Sequence, residues 1–196
     1  MRLQATAATV ALVVSGVARA MEPGSRPDSV VPVYVEYGNE NPVVILRAEA
    51  LAAKLFRPAG VEIHWSSGLQ PYPKGPGVIM VSLGTATRSA SQGALANARP
   101  YEGIHIEVAY DRVKAVSTSL QPTLLAHVLV HEITHILQGV SRHASTGIMK
   151  AYWDNADYGD MRWNTLPFTA DDIELIHMGL EKRASRAAAA APVASR

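Results

Sequence analysis

The stretch from Leu124 to Met149, LLAHVLVHEITHILQGVSRHASTGIM, decides how the rest of the chain is read. Its first half is apolar with a helical period, and at its centre stand His131, Glu132, Ile133, Thr134 and His135, an HExxH. Residues four apart lie one above the other on the same face of an α-helix. His131 and His135 can therefore converge on one ion with Glu132 on the flank. Two imidazoles so placed suit zinc, which in a catalytic site takes three protein ligands and leaves its fourth position to water. Glu132 is then the candidate general base for that water. Pro122 fits the first turn of this helix, where its missing N–H costs nothing, and Gly139 is placed to end it in the left-handed conformation.

His127 stands one turn before His131 on the same face. Two turns, about 12 Å along the axis, separate it from His135, so the three cannot share one ion. It is expected to be a partly buried residue behind the site. His64, His105 and His177 read as structural or surface histidines.

Composition narrows the functional classes. The 196 residues suffice for one domain with a proper core. Residues 1–20 read as a signal peptide: Arg2 gives a positive start, Ala5 to Val17 an apolar run too short to span a bilayer, and Ala18-Arg19-Ala20 an A-x-A cleavage signature before Met21. A secreted or periplasmic location follows as an expectation, with no membrane span in the mature form. Of 18 basic residues, Arg2 and Arg19 leave with the signal, so 16 face 17 acidic ones and the mature net charge is near −1. No basic patch points to nucleic acid or an anionic membrane. The chain has no cysteine, which excludes a thiolate zinc site, a catalytic cysteine and a cysteine-based latency switch.

Along the chain, Met21 to Ser29 reads as a mobile lead-in rich in Pro, Gly and Ser. Val30 to Tyr37 reads as a strand, with Pro32 near its beginning or at an edge. Asn41-Pro42 opens a helix that runs through Val44, Leu46, Leu51 and Leu55 to Phe56, before Pro58 and Gly60. Val61 to Trp65 is a strand, Gly68 to Gly77 a loop, and Val78 to Leu83 a short apolar strand of the central kind. After a second loop, Gly84 to Gly93, come a short edge strand at Ala94 to Ala98 and an alternating one at Ile104 to Ala109. Thr169-Ala170-Asp171-Asp172 resembles a capping box for a last helix with Ile173, Ile176 and Leu180 inward. Ala184 to Arg196 is an Ala-rich tail, expected to be frayed helix or disorder. The order predicts an α/β (α+β) domain over residues 30–183, built on one mixed sheet of about five strands.

These residues resemble the metzincin metallopeptidases, most closely their matrixin-like branch. The family signature is HExxHxxGxxH followed by a turn carrying methionine. Here it is met by His131, Glu132, His135, Gly139, His143 and, in Thr146-Gly147-Ile148-Met149, by Met149. Leu95-Ala96-Asn97-Ala98 with Ile104-His105-Ile106 is similar to the strands before the matrixin active-site helix, and Phe168-Thr169-Ala170-Asp171-Asp172-Ile173 to the start of the last helix. The resemblance implies a zincin-like fold with an active-site helix, a Met-turn and a C-terminal helix, and zinc held by His131, His135 and His143. It also implies Met149 packed beneath the site and an extended peptide lying along Leu95 to Ala98.

Two departures stand out. His143 lies eight positions after His135 where the signature has six, and the glycine falls one position late. The turn must be longer, and Glu174 on the last helix is the competing third ligand. Asn97 stands where matrixins carry a histidine for a structural zinc, a site His105 alone does not hold. Tyr152 is a candidate oxyanion stabiliser. Trp153, Tyr158 and Trp163 either shape the pocket beyond the scissile bond or pack a long loop. The implied activity is zinc-dependent endopeptidase on peptide or protein substrates. The alternatives are a non-catalytic zincin-fold binding module and a zinc amidase for a non-protein amide.

Overall fold

A computed structural model describes residues 29–68, 77–85, 93–102 and 104–190. Residues 1–20, expected to be a signal peptide, nearly all of the expected lead-in, most of both long loops and the last six residues lie outside the described residues. Five strands form one mixed sheet: β1 Ser29–Glu36, β2 Val61–Gly68, β3 Ile79–Gly84, β4 Ala96–Ala98 and β5 His105–Ala109, in the order β2-β1-β3-β5-β4. The first three pairings are parallel, and only the short edge strand β4 runs antiparallel, on β5. Val33, Val35, Ile79, Val81 and Ile106 are wholly buried or nearly so, as expected for central parallel strands with covered faces.

Helix α1, Pro42–Phe56, begins where expected, with the Asn41 side chain accepting from the Val43 amide at 3.0 Å and Pro42 in the first turn. Its buried face is Ile45, Ala48, Glu49, Ala52, Leu55 and Phe56. Leu46 is 58% exposed, because the i, i+3, i+4 stripe that meets the core starts at Ile45. Helix α3, Gln121–Gln138, is buried along its whole length from Leu124 and packs on α1. Gly139 ends it at φ 70°. Helix α5, Ala170–Ala190, packs on α3 and has Ile176 wholly buried. It opens on the expected reciprocal cap: Thr169 Oγ1 accepts from the Asp172 amide at 3.2 Å, and Asp172 Oδ2 from the Thr169 amide at 3.0 Å.

The Ala-rich segment from Ala184 continues α5 to Ala190, the helical alternative of the two expected, as the residue with the highest helix propensity allows. Two readings need correction. Ser29 belongs to β1, paired with Val61, rather than to the lead-in. Two helices were not anticipated: α2, Tyr110–Val116, directly after β5, and α4, Asn155–Trp163.

Glu49 is the polar exception on the inward face of α1, at 5% exposed, with the Ser67 side chain as hydrogen-bond partner. Burial pushes its pKa from 4.5 up to about 7, against the smaller opposing effect of the Ser67 bond. A carboxyl raised on folding binds its proton more tightly in the folded state, so across that window stability falls as pH rises. Glu49→Gln removes this dependence, making the protein more stable at pH 8 by roughly 2 kcal/mol and little changed at pH 4. Urea unfolding at both pH values measures it, and parallel pH dependence in the two proteins would contradict the assignment.

Candidate metal centre

The site is built by α3 and the turn that follows it. His131 and His135 lie one helical turn apart, 8% and 6% exposed, and each donates its Nδ1–H to a carbonyl outside the helix. His131 meets Ile148 O at 2.9 Å, and His135 meets Val140 O at 3.0 Å. These bonds fix the tautomer and leave both Nε2 lone pairs to face each other at 3.1 Å. Burial is the main cause that lowers both pKa values to about 4. Both rings are therefore neutral at pH 7, the form in which imidazole ligates metal.

His143 completes the group. Ligand nitrogens of His131, His135 and His143 lie within 4.8 Å of one another, and the His143 ring centroid stands 5.3 Å from that of His131 and 4.9 Å from that of His135. Glu174, the competing ligand, is exposed on α5 and lies outside this group. Several contacts pin the longer turn. The Gly139 amide bonds His135 O at 2.9 Å, Arg142 Nη1 reaches Asp172 Oδ1 at 3.1 Å, and the Ala144 amide bonds Met149 O at 2.8 Å. Gly147 takes φ 73°, and a Cβ there would stand 2.3 Å from Pro167 O. No other residue fits. Met149 is wholly buried, in the same core cluster as α3; the carbonyl just before it is the one that holds His131.

The histidines face a cleft of about 510 Å³, lined on one side by Gly93 to Ala98 and on the other by Lys150 to Trp153 and Tyr158. Glu132 also lines it, 8% exposed. Burial pushes the pKa of its carboxyl up to about 7, opposed by a hydrogen bond from the backbone of Ala98 on β4. A carboxyl so tuned suits proton transfer near neutral pH. Three neutral imidazoles with an open side toward a cleft match the donor set and the open fourth position of a catalytic zinc site.

Other candidates take varied places. Tyr152 lines the cleft at its rim and is 88% exposed. Trp153 stands edge-on to His131, with centroids 5.6 Å apart, and to His127 at 6.2 Å. Tyr158 lines the cleft from α4, whereas Trp163 is 87% exposed outside it. His127 is wholly buried rather than partly so: its Nδ1 donates to Thr123 O at 2.8 Å and its Nε2 accepts the Leu166 amide at 3.2 Å. It thus ties α3 to the segment leading into α5. Asn97 is exposed on β4, and His105 pairs with Glu102 at 3.3 Å.

Sequence reading missed Lys150, which lies in the cleft wall with its ammonium paired to Asp154 and Asp157. The signal was present in Asp154-x-x-Asp157, a capping box that opens α4.

The five-stranded mixed sheet, the buried HExxH helix and the C-terminal helix behind it define a zincin-like α/β domain. The crystal structure of archaemetzincin from Methanopyrus kandleri, at 1.5 Å resolution, shares this fold with a TM-score of 0.55. The match covers 81% of this chain and 99% of that one, at 15% sequence identity. No protein-family model and no curated protein matches the chain.

Proposed function

We propose that the chain is an exported zinc-dependent endopeptidase of metzincin type, matrixin-like in its strand and last-helix motifs. On this reading it acts on peptides or proteins in a secreted or periplasmic setting and has no nucleic-acid partner. The convergence of three neutral histidine nitrogens beside a buried glutamate, in a cleft flanked by a sheet edge, carries this reading. The archaemetzincin fold agrees with it. Among the described residues no helix is long and apolar enough to cross a membrane.

Held by His131, His135 and His143, zinc would supply a bound water of pKa about 7 and a Lewis acid for the scissile carbonyl. Glu132 accepts the proton of the attacking water and returns it to the leaving amine. β4 offers its outer edge to an extended peptide, which adds to the sheet through backbone hydrogen bonds. His131 and His135 keep their orientation through the Ile148 and Val140 carbonyls throughout. Tyr152, at the rim of the cleft, is the candidate hydrogen-bond donor to the developing oxyanion.

A peptide library read by mass spectrometry tests this. Internal peptide bonds are cut by the purified protein, cutting stops after treatment with a chelator, and zinc restores it. Peptide binding without cleavage by zinc-loaded protein would make the chain a binding module, and cleavage confined to non-peptide amides an amidase.

A further inference from the structure

We infer that the Arg142–Asp172 ion pair holds His143 in ligating position, which makes Arg142 a positioning residue for the third imidazole. The inference rests on the three-histidine reading above. His131 and His135 each have a carbonyl to fix their rings, but among the described residues no hydrogen bond reaches the ring of His143, and that residue is exposed. Its place is therefore set by its backbone, in a turn two residues longer than the HExxHxxGxxH spacing requires. Arg142 immediately precedes it.

The anchor on the other side is rigid. Asp172 is wholly buried, and its Oδ2 accepts from the Thr169 amide at 3.0 Å and the Thr169 hydroxyl at 2.7 Å. Its own carbonyl accepts Gln138 Nε2, from the last turn of α3, at 3.2 Å. Oδ1 is left for Arg142 Nη1 at 3.1 Å, with Nη2 3.5 Å from Asp171. A carboxylate withdrawn from water needs a cation nearby, so the pairing draws residue 142 toward the N-terminus of α5. The forked guanidinium can serve both aspartates, a geometry a lysine does not reproduce. The last helix thus completes a metal site to which it contributes no ligand.

A role limited to gluing α5 onto α3 would leave zinc affinity alone, so affinity is the readout. Zinc is titrated against a chromophoric chelator in wild type, Arg142→Ala, Arg142→Lys, His143→Ala and the Arg142→Ala/His143→Ala double variant, with urea unfolding of each metal-free protein alongside. Arg142→Ala is expected to bind zinc roughly tenfold more weakly or worse, with Arg142→Lys between it and wild type. His143→Ala is weaker too, and the double variant matches it, because the arginine acts only through that ring. Wild-type affinity in Arg142→Ala, or losses that multiply in the double variant, would overturn the inference. Should Arg142→Ala fail to fold, Arg142→Lys carries the test, and wild-type affinity there overturns it. Undiminished affinity in His143→Ala would instead remove the three-histidine reading beneath it.

Discussion

Glu132→Gln is expected to slow peptide hydrolysis by roughly a hundred- to ten-thousand-fold while zinc binds as in wild type. The substitution keeps the shape of the side chain, and the amide oxygen can still accept from Ala98 on β4. It removes the one property the chemistry needs, the ability to take up a proton and release it. Glu132 lies in a buried setting that pushes its carboxyl toward a pKa of about 7, so the neutral amide costs the fold little. The loss therefore falls on kcat, with zinc affinity and unfolding midpoint held. Hydrolysis near the wild-type rate in this variant would show that the proton goes elsewhere.

Gly179→Ala carries the largest expected effect on stability. A Cβ at position 179 would stand 1.7 Å from Leu137 O, 2.8 Å from Leu137 C and 3.1 Å from Gln138 Cα. All three are backbone atoms at the end of α3, with no flexible side chain to turn aside. Helix α5 must move away, and Asp172, two turns earlier on it, sits where Arg142 and Gln138 bond. Alanine improves helix propensity by about 1 kcal/mol, but overpacking against backbone costs more, for a net loss of roughly 2–4 kcal/mol. Urea unfolding measures this, and an unchanged midpoint would mean that α5 and α3 lie farther apart than described.

Local chemistry explains which parts were readable in advance. The HExxH helix, the Asn41 cap of α1, the Thr169–Asp172 cap of α5 and the left-handed Gly139 each depend on residues within four positions of one another, and each is where expected. So is the five-stranded sheet, because apolar alternation and turn residues mark strands directly. Helix α4 was read as loop because it is short, polar and interrupted by Gly159, and its capping box carries aspartate where glutamate or glutamine is usual. Helix α2 follows β5 without any intervening turn residue.

The site divides the same way. His131, Glu132 and His135 were legible because they share one helix. His143 was legible as a candidate only through resemblance, since the long turn breaks the spacing. What brings it in is a contact between residues 30 positions apart, Arg142 and Asp172, which no local pattern announces. The buried role of His127 depends on Leu166, 39 positions away.

The zinc content of the purified protein, measured beside His143→Ala, tests the central claim most directly. About one equivalent in wild type and a clear loss in the variant is the result expected of a three-histidine site. Full zinc in His143→Ala, or none in either protein, would contradict it.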